Sequence, residues 1–181
     1  MGMEKARALD AYLVSSARLG DRHALGILVR RWNGKLLAHA WRLLRDEEGA
    51  KDAVQESWAE MLRGLSRLQD DGAFAAWAYR IVSRRCAREI GRTQSERRLA
   101  EEIAANPAEK QLSEPSTLDA KAVQKAISTL SPTQQAAVAL FYLEELSVAE
   151  VAVALDVPVG TVKTRLMHAR GKMRAALDGG Q

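Results

Sequence analysis

The sequence predicts an all-α protein built from two small helical bundles that are joined by a flexible acidic linker. Nearly every segment repeats its apolar residues at helical spacing, and none alternates as a β-strand would. The pattern lapses between residues 101 and 117, where Pro107, Pro115 and scattered Asn, Ser and acidic residues leave too few apolar side chains for a core. We therefore expect an N-terminal domain over residues 1–98, a linker over 99–117 and a C-terminal domain over 118–181.

The N-terminal domain is predicted to contain four helices, over residues 3–19, 22–44, 47–69 and 72–98. Asp21 and Asp46 precede the second and third helices. An aspartate at this position accepts hydrogen bonds from the first amides of a helix, which have no partner within the helix itself. Both residues are therefore predicted N-caps.

The C-terminal domain is predicted to continue with helices over about 118–130 and 132–143, followed by a short amphipathic helix and a second, basic helix. Ser131 supplies an N-cap, Pro132 occupies the first helical position and Gln134 completes a capping box. Ser147 and Glu150 form a second capping box. A corner at residues 156–158 follows, since Pro158 cannot continue the preceding helix but suits the first turn of the next one.

The helix after this corner is predicted to have one buried face and one basic face. Its apolar stripe consists of Val159, Val162, Leu166, Ala169, Met173 and Leu177. Between Thr161 and Arg174 there are five cations and no acid. Such a helix can enter the major groove of DNA as the second helix of a helix-turn-helix. A solvated basic face on an ordinary helical hairpin is the alternative.

Charge and composition narrow the possible functions. The net charge is +4, and residues 1–98 hold 19 Lys/Arg against 13 Asp/Glu, whereas residues 99–120 hold one against five. The single cysteine, Cys86, excludes an internal disulfide, and a packing role is expected for it. The three histidines lack neighbouring ligands at metal-binding spacing, and no nucleophile or phosphate loop has a catalytic context. We expect no metal, no cofactor, no catalysis, no membrane insertion and a cytoplasmic location.

Two segments of the N-terminal domain carry further candidates. On the 47–69 helix, Asp52, Gln55 and Glu56 lie opposite the packing stripe, which fits either a basic protein partner or an ordinary hydrated face. The 72–98 helix interleaves aromatic residues with arginines, which suits single-stranded DNA because bases stack on rings while phosphates pair with Arg. Phe74, Trp77 and Ile81 equally fit a core, whereas the arginines fit an exposed basic strip.

Five segments in order resemble the extracytoplasmic-function (group 4) sigma factors of the sigma-70 family. They are Asp21-Arg22-His23-Ala24-Leu25, Ala50-x-Asp52-Ala53-Val54-Gln55-Glu56-x-Trp58, Phe74-x-x-Trp77-x-x-x-Ile81, Leu130-Ser131-Pro132-x-Gln134-x-x-x-Val138 and residues 157–166. The similarity extends over about residues 10–177. The resemblance implies a transcription initiation factor that binds core RNA polymerase, directs it to promoters and is controlled by an anti-sigma factor.

The resemblance also implies a role for each segment. The segment that docks on the clamp of the largest polymerase subunit corresponds to Asp52, Gln55, Glu56 and Trp58, and the flap region is a second expected polymerase contact. The part that reads and opens the minus-ten element corresponds to the loop over about 63–73 with Phe74, Trp77, Arg80, Arg84, Arg85 and Arg88. The reader of the minus-thirty-five duplex corresponds to Thr161, Lys163, Thr164, Arg165, His168 and Arg170. The acidic linker would run toward the active-site cleft of the polymerase.

The chain departs from the family pattern at three positions. Arg84 stands where an Asn is usual, Arg88 where an Asp is usual, and Asp156 where a Gly is usual at the corner. The two arginines bear on minus-ten recognition and melting. Two alternatives remain at this point: a conventional helix-turn-helix regulator whose N-terminal bundle dimerises or senses, and a sigma-like protein that titrates a partner without starting transcription.

Overall fold

A computed structural model describes the backbone of residues 2–101 and 126–178, and the side chains of residues 4–95 and 126–176. Residues 99–101, predicted to begin the linker, are helical; the rest of the predicted linker over 99–117 and most of the predicted 118–130 helix lie outside the described residues. Within the described part every regular element is helical, which confirms the all-α prediction.

Four long helices form the N-terminal half. They are α1 (Gly2–Arg18), α2 (Arg22–Leu44), α3 (Glu47–Gly64) and α4 (Phe74–Glu101). The predicted caps are confirmed: the Asp21 carboxylate accepts from the amides of His23 and Ala24 at 2.8 and 3.1 Å, and Asp46 accepts from Gly49 at 2.8 Å. Helix α3 ends five residues before the predicted position 69, since two short 3₁₀ turns, Leu65–Arg67 and Asp71–Ala73, lead into α4.

The C-terminal half contains α5 (Pro132–Val138), a π-helical turn (Ala139–Leu143), α6 (Val148–Leu155) and α7 (Val159–Asp178). Both predicted capping boxes are present, Ser131 with Gln134 and Ser147 with Glu150. The predicted 132–143 helix therefore exists but changes its winding after Val138. Each of the two shortest helices, α5 and α6, begins with a capping box that satisfies the exposed amides of its first turn.

The two halves pack against one another and share a hydrophobic core. Helix α6 lies against α4, and α5 lies against α2. Within the N-terminal half, Trp32 of α2 lies edge-on to Phe74 and Tyr79 of α4, with its ring centroid 5.3 and 5.7 Å from theirs. Buried Leu140, Val151 and Val162 from the C-terminal half belong to the same apolar cluster. The contact between the halves is therefore largely apolar, as in the interior of a single domain.

A buried histidine lies between α2 and α4. The His39 side chain is fully buried, and its Nε2 is 2.8 Å from the Ser83 hydroxyl. Burial, with a smaller contribution from the Arg42 charge, lowers the pKa of His39 from 6.5 to about 3. The imidazole is therefore neutral at physiological pH.

Candidate protein and nucleic-acid interfaces

Helices α6 and α7 form the predicted helix-turn-helix. Asp156 ends α6 in the left-handed region, with φ 54° and ψ 47°, and its amide bonds to the carbonyls of Ala152 and Val153. Two residues later Pro158 precedes α7, and its carbonyl accepts from Thr161 at 2.9 Å. The chain thus turns sharply between the two helices, as the sequence predicted.

Helix α7 presents one buried and one polar face. Val162, Leu166 and Ala169 are at most 5% exposed and pack toward α5 and α6. The predicted reading residues lie on the other side. Lys163, Thr164, His168 and Arg170 are exposed, whereas Thr161 and Arg165 are half-buried.

A shallow groove runs between the start of α5 and the start of α7. Its α7 wall includes Thr161, Thr164, Arg165 and His168, and its α5 wall includes Thr133. Partial burial lowers the pKa of Arg165, although a guanidinium stays charged at any physiological pH. The groove therefore brings polar side chains together with a fixed positive charge, which suits a phosphate backbone beside a helix in the major groove.

Met167 belongs to the same face, and sequence reasoning missed it. Its side chain is 56% exposed, although methionine is usually buried. It lies three and four residues after Thr164 and Lys163, so the three side chains neighbour one another on the helix surface. The available signal was its position off the apolar stripe, one residue after Leu166.

Helix α3 exposes the predicted acidic face. Asp52, Gln55 and Glu56 are exposed, while Ala53 and Val54 between them are buried. Trp58 is half-buried and donates from Nε1 to the Asn33 side-chain oxygen at 3.1 Å. Asp52 and Gln55 are thus available to a partner, Glu56 is exposed but also pairs with Arg85 of α4, and Trp58 mainly links α3 to α2.

The arginines of α4 have different surroundings. Arg80, Arg84 and Arg88 are exposed, but Arg85 is half-buried between two acids of α3. Its guanidinium lies 2.6 Å from the Glu56 carboxylate and 3.4 Å from that of Glu60. A residue predicted to contact DNA is therefore paired with one predicted to contact polymerase.

The aromatic residues of α4 require a correction. Phe74 is 1% exposed and packs on Trp32, so the structure places it in the core and not on a DNA-binding surface. Trp77 is half-buried, with its ring 5.9 Å from that of Phe74 and close to Gly64 at the end of α3. A side chain at position 64 would approach the Trp77 ring to 3.1 Å, so this glycine leaves room for the indole.

Arg80 is engaged by the helix-turn-helix itself. Its Nη2 and Nε lie 2.9 and 3.1 Å from one carboxylate oxygen of Asp156. The structure therefore joins the predicted single-strand surface of α4 to the corner between α6 and α7. No sequence pattern predicted this contact, since 76 residues separate the two partners.

Other site types find no support in the described residues. No group of three or more His, Cys, Asp or Glu side chains within them could hold a metal ion. None of the described helices is long and apolar enough to cross a membrane. Cys86 is buried, and burial raises the pKa of its thiol to about 12, consistent with a packing role.

Comparison with known proteins identifies two family matches. Residues 28–96 match the family model "Sigma-70 region 2", and residues 120–173 match "Sigma-70, region 4". The chain is 31% identical over 168 residues to the ECF RNA polymerase sigma factor SigM of Mycobacterium tuberculosis. The aligned region covers 93% of this chain and 84% of SigM.

Two solved structures have a similar fold. The sigma factor RpoE of Bartonella quintana, in complex with the anti-sigma factor NepR, aligns with a TM-score of 0.67 and 19% identity over 87% of this chain and 98% of its own. CnrH, in complex with the cytosolic domain of CnrY, aligns with a TM-score of 0.64 and 24% identity over 96% of this chain and 99% of its own.

Proposed function

The chain belongs to the extracytoplasmic-function (ECF) RNA polymerase sigma factors, and we propose that its exposed surfaces divide promoter-specific initiation between polymerase binding, strand opening and duplex recognition. Family membership favours this function over a conventional helix-turn-helix regulator and over a protein that only titrates a partner. Catalysis of RNA synthesis then belongs to the polymerase, and this chain supplies positioning.

Polymerase docking is assigned to the exposed face of α3. Asp52 and Glu56 lie one helical turn apart with Gln55 beside them, so two carboxylates and an amide face the same direction. Complementary charge is the usual means of guiding such an encounter. The proposed partner is a basic surface on the clamp of the largest polymerase subunit, with the flap as a second contact for the C-terminal half.

Minus-ten recognition is assigned to α4 and the loop before it. The loop is held in place, because Asp70 accepts from the Gly72 amide at 2.8 Å and Asp71 pairs with Arg18 of α1 at 2.6 Å. Exposed Arg80, Arg84 and Arg88 offer phosphate contacts, and Trp77 offers part of a ring for an unstacked base. Phe74 supports this surface from below.

The arginines at positions 84 and 88 strengthen the phosphate-binding character of α4. Both are exposed and stand where the family usually has uncharged or acidic side chains. Each added phosphate contact steepens the dependence of binding on salt. Binding of the unpaired strand by this chain is therefore expected to be unusually salt-sensitive.

Minus-thirty-five recognition is assigned to the polar face of α7. Lys163, Thr164, His168 and Arg170 provide donors for bases and phosphates, and half-buried Thr161 and Arg165 flank them. Met167 adds an exposed apolar group to the middle of this face. In the major groove only thymine offers a methyl group, so Met167 is the proposed contact to a thymine.

Control by an anti-sigma factor is proposed from the related structures. RpoE was solved with the anti-sigma factor NepR bound, and CnrH with the cytosolic domain of CnrY bound. The surfaces proposed here for polymerase are the natural ones for such an antagonist to cover, since it then blocks docking directly.

The observation that carries the proposal is the agreement between the two family matches and the two exposed surfaces of opposite character. The acidic face of α3 lies inside the region 2 match, and the basic face of α7 lies inside the region 4 match. In vitro transcription with purified core polymerase on genomic DNA, followed by mapping of RNA 5′ ends, tests it. New start sites that need this chain and share two upstream elements are expected. DNA binding without any new start site would contradict the proposal.

A further inference from the structure

The ion pairs between the two halves all have the same polarity among the described residues. In the ion pairs that the described residues form across the boundary, the cation belongs to the N-terminal half and the anion to the C-terminal half. Lys35 meets Glu144 at 2.7 Å, and Arg7 meets Glu150 at 3.5 Å. Arg80 meets Asp156 at 2.9 Å. The acidic residues of one half therefore neutralise part of the basic surface of the other.

Glu144 shows how firmly this boundary is built. Besides the Lys35 ammonium, this carboxylate lies near buried Tyr79 of α4, and burial, together with the negative charge of Glu144, raises the pKa of Tyr79. Arg45 at the end of α2 donates to the Gln135 side chain of α5. The contact thus combines apolar packing with directional bonds, which fixes one arrangement of the halves.

Among these contacts, the one at Asp156 comes from a residue that departs from the family pattern. The residue has φ 54°, a conformation that glycine adopts freely and that most other residues avoid. Sequences resembling this one usually carry glycine at that corner. Aspartate tolerates the left-handed region better than most residues and adds a carboxylate that glycine cannot supply. That carboxylate is the group that reaches Arg80.

Asp156 and DNA compete for the same edge of the Arg80 guanidinium. Both Nε and Nη2 point at one Asp156 oxygen, so a phosphate that binds this edge would have to displace the carboxylate. A carboxylate beside the arginine also repels a phosphate. Helix α6 lies along α4 in the same arrangement, next to the proposed single-strand surface.

We propose that the Arg80–Asp156 pair is an autoinhibitory contact, which holds the helix-turn-helix against α4 in the free chain and must break before Arg80 binds the unpaired promoter strand. The part of this inference that concerns DNA rests on the function proposed above. The part that concerns closure of the two halves does not.

The pair is half-exposed on both sides, 46% and 48%, so its effect is modest. An exposed ion pair shifts an equilibrium by about two- to fivefold. The apolar packing provides the main affinity between the halves, and the pair adjusts how often they separate. Such a contact suits a regulated protein, because a modest bias is easily overcome when polymerase binds.

Single-molecule energy transfer in the full chain tests closure. Labels are placed on Ala59→Cys of α3 and Ala175→Cys of α7, both exposed, while buried Cys86 stays unlabelled because its raised thiol pKa of about 12 keeps it protonated. Asp156→Asn removes the charge and keeps a residue that tolerates the left-handed region. Glu145→Gln is the matched control: it removes one acid from the same half, and its side chain has no ion pair among the described residues.

We expect Asp156→Asn and Arg80→Gln each to raise the fraction of open molecules about two- to fivefold. The double variant should have no larger open fraction than either single variant, because both remove the same contact. Equal open fractions for Asp156→Asn, the control and the unmodified chain would overturn the contact, and so would effects that multiply in the double variant.

A second measurement tests inhibition. Binding of a fluorescent single-stranded promoter oligonucleotide to the polymerase-free chain is expected to tighten by the same factor in Asp156→Asn, and not in Glu145→Gln. Opening without tighter binding would overturn the autoinhibitory role. A chain that opens and binds as expected but selects no start site with core polymerase would instead contradict the proposed function.

Discussion

Acidification should destabilise this protein through one buried side chain, His39. An unfolded chain takes up a proton on this imidazole near pH 6.5, whereas the folded chain does so only near pH 3. The unfolded state therefore binds more protons throughout that window, and stability falls as the pH is lowered through it. Above pH 6.5 both states hold a neutral imidazole, and the contribution is constant.

The size of the effect follows from these two values. For one group whose pKa drops from 6.5 to about 3, the loss of unfolding free energy between pH 7 and pH 5 is about 2 kcal/mol. The structure explains why the folded state resists protonation. The second ring nitrogen, Nδ1, has no hydrogen-bond partner among the described residues, and the Arg42 charge opposes a second cation.

Urea denaturation of the unmodified chain and of His39→Gln, at pH 7 and at pH 5, measures this contribution. Glutamine is neutral at both values, so the stability difference between the two proteins should change by about 2 kcal/mol in favour of the variant on going to pH 5. The same substitution at exposed His23 is the matched control, because His39 is retained there. A His39→Gln variant that loses as much stability as the unmodified chain would refute the reasoning.

Three further perturbations test the cap, the polymerase face and the reading face. Asp21→Ala removes both hydrogen bonds that cap α2 and should cost about 1 kcal/mol in urea denaturation, while Asp21→Asn should restore most of it. Asp52→Lys should change the free energy of unfolding by no more than about 0.5 kcal/mol but weaken binding to core polymerase about tenfold. Glu4→Lys makes the same charge change on α1 and should leave polymerase binding unchanged. Replacing the contacted thymine with uracil removes its methyl group and should weaken promoter binding by the unmodified chain, but not by Met167→Ala, which has already lost the contact. If the Met167→Ala variant is weakened as well, another residue contacts the methyl group.

Local chemistry made much of the fold predictable. The caps at Asp21, Asp46, Ser131 and Ser147 depend on residues within three positions, so the sequence contains all the information that they need. The corner before α7 is equally local, because Pro158 fixes it. The ends of two elements were harder to predict from the sequence. Helix α3 stops at Gly64, which lies against Trp77 of α4, and the turn after Val138 widens, for which no local residue pattern was found.

The candidate sites were only partly predictable, for a related reason. Helical spacing separated the buried Val162 and Leu166 from the polar side of α7, but it did not identify Met167 as exposed. Helical spacing also did not decide whether Phe74 lies in the core or on a DNA-binding surface. Its contact with Trp32 on another helix places it in the core. The pairing of Arg85 with Glu56 could not be read from either helix alone.

The arrangement of the two halves was beyond sequence reasoning altogether. Opposite charges on separate bundles are compatible with many orientations, and exposed pairs are individually weak. The acidic linker gave no constraint either. Only the packed structure shows that the corner residue Asp156 faces Arg80.

Site-specific photocrosslinking in an initiation complex with core polymerase tests the division between the two DNA-binding surfaces most directly. A crosslinking amino acid at position 77 should label the unpaired strand near the start site, and one at position 167 should label the upstream duplex. Both labels should require core polymerase and a promoter with both elements. Crosslinks from both positions to the same element, or identical patterns without polymerase, would contradict the account.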